Sequence, residues 1–388
     1  MGTTVIEVLR RFLPDFLRGR PALNRAQGRA IWAITHCRTA VMGGHLDACE
    51  QGCTREFHFH SCNHRSCPQC GREHTAEWVQ RELAKRVGAP YFMVTFTLPE
   101  ELRGLFFSGA AKEIYDVLFA AAAAALSGTL ADPRWLGAVT SGHTAILHTW
   151  NQRQHFHPHL HCIVPGAGLD AYGRVVTVKN ANFLVPQPVL RRAFRAGFRE
   201  RLAAVEAEHG PLDIDIDPCV WGKDWGVHLQ AFGDGTRAIQ YLGAYVCRGP
   251  IGDSRIISMD NDRVSFDWKD RAKGGAPRVE SISGVEFVTR YLRHVLPKGM
   301  RAVRQYGFCH PAAQAKRERI AFLTGRPLLI GAAALPPPKP ERPPKLCPCC
   351  GGQLLLVRRI EAPWEAARQR KRARARPPPV PLCQHLTT

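Results

Sequence analysis

The clearest pattern in the chain is a change of hydrophobic period between residues 91 and 165. The segment "YFMVTFTL" (91–98) is almost wholly apolar and rich in aromatic and β-branched side chains, which predicts a buried strand. Two more strands are predicted at "HTAILHTW" (143–150) and at 158–164 within "HFHPHLHCIVPG", antiparallel and joined by a loop of about seven residues. Side chains alternate across a strand, so His157, His159 and His161 share one face while Pro158, Leu160 and Cys162 share the other. Pairing Trp150 with His157 puts His148 opposite His159, and a one-residue slip would turn it away. Helical spacing recurs at Val5, Ile6, Leu9, Phe12, Ile31 and Ile34, and again over 110–127 and 188–208. The stretch "RIISMDNDRVSFDW" reads as a hairpin turning at "DND" (260–262). Together these elements predict an α+β fold, an antiparallel sheet with helices packed on it.

Another helix follows from "GDGTRAIQYLGAYVCRGP", with Thr236 as its cap and Gly249-Pro250 as its end. Tyr241 and Tyr245 are four residues apart on it, so their hydroxyls emerge on one face. Taken alone, that pair reads as an ordinary amphipathic stripe.

Charge changes the picture. The 388 residues carry 53 Lys and Arg against 33 Asp and Glu, a formal net charge of +20, which favours a polyanionic partner such as nucleic acid. No run of 18 or more apolar residues argues for a membrane, and the N-terminus "MGTTVIEVLRRFLPDFLRGR" lacks the unbroken apolar core of a signal peptide. The expected location is therefore the cytoplasm. In that reducing compartment, most of the 14 cysteines are better read as metal ligands than as disulfides.

The chain divides into an N-terminal helical segment (1–35), a cysteine-rich zinc-binding domain (36–88), a catalytic domain (89–310), and a Pro-rich linker with a basic tail (311–388). In the zinc-binding domain, Cys49 and Cys53 form one close pair and Cys67 and Cys70 another, separated by a segment able to form a hairpin. Two short-spaced thiolate pairs are what a tetrahedral structural zinc requires. Cys37, Cys62 and His45 are further candidate ligands for that ion or a second one. The group "CPCCGG" near the end has knuckle spacing at Cys347 and Cys350. Its only later partners, Cys383 and His385, lie beyond a basic run, so of the two readings, a second zinc knuckle or an unstructured tail, the unstructured tail is favoured. From residue 339 onward the tail has eleven basic and three acidic side chains, a net +8.

The histidine strand offers different chemistry. His159 and His161, with His148 as third ligand, can hold a divalent cation and leave coordination positions open, so that it acts as a Lewis acid on a phosphate. The two helical tyrosines then become candidates for covalent attack on DNA. Arg248, next along from them, is a candidate for holding the phosphate.

In order along residues 30–310 stand "SCNHRSCPQCG", "FTLPEEL", "HTWNQ", "FHPHLHCIVPGAGL", "YLGAYVCR", "VSFDWKD" and "FVTRYLRHVLPKGMRAVRQYG". This series resembles the bacterial rolling-circle insertion-sequence transposases, the HUH-tyrosine enzymes of the group that includes the ISCR elements, with their N-terminal zinc-binding domain. The resemblance implies a palm-like sheet carrying His159-Leu160-His161 on a central strand, a small zinc-ribbon-like domain before it, and Tyr241 and Tyr245 as the two nucleophile positions. It also implies a transposase that nicks single-stranded DNA at the ends of its element through a 5′-phosphotyrosine and transfers the strand to single-stranded target DNA by a rolling-circle-like mechanism. Structural Zn2+ and catalytic Mg2+ or Mn2+ are the implied cofactors, and the enzyme would associate with the nucleoid through its DNA. Where the family often has a basic residue and a histidine near the second tyrosine, this chain has Ala244 and Cys247.

No nucleotide cofactor is expected, because a phosphotyrosine conserves the energy of the broken phosphodiester and no G-x4-G-K-[ST] loop is present. The rival readings are a replication initiator or conjugative relaxase of the same chemistry, a barrel amidohydrolase, whose repeated strand-helix units this pattern does not supply, and a non-catalytic zinc-dependent DNA-binding protein.

Overall fold

The computed structural model describes residues 2–70, 73–212, 214–246, 249–270, 273–326 and 345–363. The chain opens with helices α1 (Val5–Arg18) and α2 (Arg25–His36), then strands β1 (Gly44–Cys49) and β2 (Arg55–Phe59) and helix α3 (Glu73–Ala84). The middle holds β3 (Tyr91–Thr97), α4 (Ala111–Ala131), β4 (Gly142–Trp150), β5 (Phe156–Pro165), β6 (Ala167–Leu169), β7 (Val175–Thr177) and α5 (Gln187–His209). There follow β8 (Gly226–Ala231), α6 (Thr236–Val246), β9 (Ile256–Met259), β10 (Arg263–Asp270), β11 (Ala276–Ser283), α7 (Gly284–Arg293), β12 (Val303–Gly307), α8 (Gln314–Leu323) and β13 (Leu354–Ile360).

The first two helices begin where their sequences can satisfy free backbone N–H groups. Thr4 and Glu7 form a reciprocal capping box on α1, and Asn24 and Gln27 do so on α2. At α6 the capping side chain is Asp234 rather than the expected Thr236. Its Oδ1 accepts the Thr236 N–H at 3.0 Å, because the turn at Gly235, with φ of 81°, places the carboxylate over the helix start.

The main sheet has the order β12-β4-β5-β3-β8 with every neighbour antiparallel, so β5 is its central strand. The strand and helix types foreseen from periodicity are present, and the fold is α+β. The loop between β4 and β5 is shorter than expected. Trp150 pairs with Phe156 rather than His157, and a bulge between His148 and Trp150 absorbs the shift, so His148 still faces His159.

The two faces of this sheet have different partners. Phe96, Leu147, Leu160 and Cys162 point into the largest core, filled by α4 and α5 through residues such as Leu118, Phe119, Leu126, Phe194 and Phe198. Helix α4 is long and apolar enough by composition to cross a membrane, but most of it is buried in this core. On the other face Met93, Ile146 and Ile163 meet Trp78 of α3 and Ile239 and Leu242 of α6. A second core joins α1, α2 and α7 to the sheet β9-β10-β11, drawing the first 35 residues onto residues 251–295. The "DND" hairpin forms as foreseen between β9 and β10.

A third small sheet departs from expectation. β13 pairs antiparallel with β1, giving the order β13-β1-β2, so the segment 345–363 assigned to an unstructured tail is folded onto the cysteine-rich segment. The basic run beyond it, with Cys383 and His385, lies outside the described residues.

Candidate active site and metal centres

Strand alternation and register build the histidine cluster. His148 on β4 is paired with His159 on β5, and His161 follows two residues later, so all three side chains leave the same face. One ring nitrogen from each lies within 4.8 Å of the other two. His159 Nδ1 is 2.7 Å from the His157 carbonyl oxygen, which only a protonated Nδ1 can contact favourably, leaving Nε2 as the lone-pair nitrogen. His161 Nδ1 is held by the Thr95 hydroxyl at 3.0 Å from the neighbouring β3. The His148 ring stacks against Trp150, with centroids 5.4 Å apart. Burial, then repulsion from His161 and His159, holds its pKa well below the usual histidine range. A neutral His148 keeps a nitrogen lone pair at physiological pH. The three rings thus have the converging, oriented donors that could hold one divalent ion.

His157 shares this face and is engaged differently. Arg103, from the 3-10 helix over Glu100–Phe107, reaches its Nδ1 at 3.0 Å. Burial and this guanidinium hold His157 down at about 4, so it accepts the hydrogen bond as a neutral ring. Arg103 therefore sets a permanent positive charge beside the histidine cluster. Sequence reasoning missed it, although it lies directly after "FTLPEEL".

Helix α6 lies on the histidine face. Its Ile239 and Leu242 pack with Ile146 and Ile163, each two residues along its strand from a cluster histidine. Tyr241, on this helix, is 39 % exposed. Tyr245 stands one turn further along the same helix, but its side chain lies outside what the structure describes, as do Arg248 and Cys247 entirely. Between the tyrosines, Gly243 permits close approach of α3: a Cβ at this position would be 2.1 Å from Val79 Cγ2. The signal for this was a glycine in mid-helix, between two candidate nucleophiles.

The cysteines do not group as their spacing implied. Cys49 and Cys53 are not gathered with Cys67 and Cys70. Instead Cys37, Cys62, Cys67 and Cys70 converge with all sulfurs within 4.8 Å, and Cys49 and Cys53 converge likewise with Cys347 and Cys350. The reason is the β1-β2 hairpin. It puts Cys49 and Cys53 at its tip, while the chain leaving β2 returns past the end of α2, where Cys37 sits. The segment between the pairs is thus one strand of that hairpin rather than a hairpin of its own. His45 joins neither group; its ring contacts His60 at 3.3 Å and Lys345 at 3.2 Å.

In the first cluster Cys37 and Cys67 are almost fully buried within the second core. Hydrogen bonds from Cys37, Cys62 and Cys67 pull the Cys70 thiol far below its ordinary range, whereas bonds to Cys37, Cys62 and Cys70 push Cys67 up. The knuckle is tied to the rest of the molecule by "SCNHRSCPQCG" itself. Arg65 donates to the carbonyls of Leu296 (3.1 Å), Pro297 (2.9 Å) and Met300 (2.5 Å), and the Tyr291 hydroxyl donates to the Ser66 carbonyl at 2.9 Å.

Residues 142–318 match the family described as "Putative transposase", and residues 8–98 match that described as "Transposase zinc-binding domain". The chain is similar to "Putative transposase y4qJ" of Sinorhizobium fredii, 35 % identical over 322 residues, which cover 79 % of this chain and 80 % of the relative. It is also similar to "Transposase for insertion sequence element IS801" of Pseudomonas savastanoi pv. phaseolicola, 28 % identical over 302 residues, covering 74 % of this chain and 71 % of the relative. No solved structure matches it.

Proposed function

We propose that this chain, which belongs to the IS91 family of rolling-circle insertion-sequence transposases, cuts single-stranded DNA by attack of a tyrosine on helix α6. The scissile phosphate would lie against the face formed by His148, His159 and His161. What supports this reading is the packing of α6, which carries an exposed Tyr241, onto the same sheet face from which three converging imidazoles project. A divalent cation held by the three imidazoles would offset the negative charge that builds on the phosphate. An all-nitrogen donor set suits Mn2+ better than Mg2+, which prefers oxygen ligands.

The protein's own groups account for the rest. Arg103 adds a fixed positive charge next to the cluster, on the side of His157. The attacking tyrosine hydroxyl loses its proton and forms a bond to phosphorus, and the 3′-oxygen of the preceding nucleotide leaves and takes up a proton. The product is a 5′-phosphotyrosine and a free 3′-hydroxyl. Reversal on a new 3′-hydroxyl passes the strand on without ATP. Tyr241 and Tyr245 are one helical turn apart, about 6 Å, so one attacks a given phosphate while the other remains for a second strand. The enzyme would do this in the bacterial cytoplasm, on the DNA of the nucleoid.

The test is an adduct assay with single-stranded oligonucleotides from the element's ends, followed by peptide mass spectrometry. A DNA-linked peptide containing Tyr241 or Tyr245 is expected, and the double Tyr241→Phe, Tyr245→Phe variant should bind DNA but form no adduct. An adduct persisting in the double variant would overturn the mechanism. Binding without any adduct in the wild type would favour a non-catalytic DNA-binding protein.

A further inference from the structure

We infer that Cys49, Cys53, Cys347 and Cys350 form a second structural zinc site, a tetrathiolate that fastens the C-terminal segment to the N-terminal zinc-binding region. Cys49 and Cys350 are 301 residues apart in sequence, yet their sulfurs stand 3.5 Å apart. That is too long for a disulfide, whose sulfurs are about 2.05 Å apart. It is close to the spacing of about 3.8 Å that follows when four sulfurs sit about 2.3 Å from one tetrahedral ion. The first cluster, which lies within the family's zinc-binding region, has the same spacing: Cys37 to Cys70 is 3.5 Å and Cys62 to Cys70 is 3.6 Å.

Local backbone on both sides is shaped for a metal knuckle. Each pair is turned by a glycine in the left-handed region, Gly52 with φ of 75° inside the first pair and Gly351 with φ of 71° directly after the second, and each glycine N–H donates to the carbonyl of the first cysteine of its pair at 2.9 Å. The Gly352 N–H points at the Cys350 sulfur from 3.4 Å, the kind of backbone donor that stabilises a bound thiolate. Hydrophobic burial does not explain the arrangement. Cys53 and Cys350 are exposed, and among the described residues the core beneath them consists of Cys49, Cys347 and Leu354. A folded piece with so little core requires another source of stability, and a bound metal is the usual one in segments this small.

Neighbouring contacts fix the same docking. β13 pairs with β1 from Gly44–Ile360 to Cys49–Leu354, and Lys345 donates to the nearly buried Asp47 at 2.7 Å. The ion would sit at the end of this ladder. Closing it holds the last described strand, and the chain leading to the basic tail, beside the zinc-binding region. Cys349, which is exposed and outside the cluster, is the internal control.

Metal analysis of the full-length protein, purified under reducing conditions, tests the site without DNA. Wild type and Cys349→Ser should hold about two zinc ions per chain, and Cys347→Ser and Cys350→Ser about one. To guard against general unfolding, alkylation of the buried Cys37 and Cys67 should stay as slow in these variants as in wild type. A cross-chain readout completes the test: Cys53→Ser should expose the buried Cys347 to alkylation. Wild-type zinc content in Cys347→Ser, or an unchanged Cys347 in Cys53→Ser, would overturn the assignment, as would a Cys49–Cys350 disulfide in place of the metal.

Discussion

The histidine cluster and the two cysteine clusters are built by opposite means. Three histidines within 14 positions of one another are brought together by a single antiparallel pairing and the two-residue period of a strand. Their order survives because the sheet has a core on its far face that would be exposed by any slip in register. The cysteines come from a helix end, a hairpin tip, two loops and a strand-flanking turn far along the chain. No periodic element fixes their positions. The histidine site should therefore be separable from folding, whereas the first cysteine site should not.

The largest effect is expected where that contrast is sharpest. His161→Ala should lower metal-dependent cleavage by at least about 100-fold. It should do so with little change in circular dichroism or melting temperature, because His161 is only half-buried and the apolar packing on its own face, by α3 and α6, rests on Met93, Ile146 and Ile163 rather than on the histidine. Cleavage at the wild-type rate would remove His161 from the reaction. An unfolded variant would instead show that the histidine face is as structural as the cysteines.

Reading the sequence found what is local. Strand positions, the α+β class, the "DND" hairpin and the His148–His159 facing followed from alternation and turn chemistry, and a bulge at Trp150 corrected the one pairing drawn wrongly. It missed what is set by distant contacts. Spacing paired Cys49 and Cys53 with Cys67 and Cys70 because those four form the two short-spaced pairs of the cysteine-rich segment. A partner 301 residues away leaves no periodic trace, so Cys347 and Cys350 were consigned to the tail. Arg103 was overlooked for a similar reason: a lone arginine in a turn has meaning only once His157 is found beside it.

A smaller effect on DNA cleavage, but a large one on stability, is expected at the first cysteine cluster. Cys67 is buried at the junction with α7, where Arg65 and Ser66 hold the knuckle to residues 291–300. Structural zinc contributes folding free energy directly, so Cys67→Ser should cost about 3 kcal/mol or more and release its ion. Chemical denaturation with zinc release measured in parallel reads both quantities. A Cys67→Ser protein as stable as wild type would erase the distinction between the two regions.

The smallest effect should appear where the two regions meet, at Gly243. Helix α3 leaves the zinc-binding region and packs on α6, and the glycine lets Val79 and Trp78 approach the backbone between the tyrosines. Alanine there gains helix propensity of about 1 kcal/mol, but its Cβ would sit 2.1 Å from Val79 Cγ2, and relieving such overpacking costs about 1–3 kcal/mol. The clash should win narrowly, giving a net loss of about 1 kcal/mol and a modest fall in adduct formation as α6 shifts against the histidine face. Val79→Ala removes the obstructing methyl groups, so combining it with Gly243→Ala should recover part of both losses, a non-additivity that thermal melts and adduct yields can read together. If the two substitutions simply add, α3 does not set the position of the tyrosine helix through Val79, and its hold on the histidine sheet lies instead in Trp78 and in the hydrogen bonds that Glu82 accepts from Thr144 and Gln305.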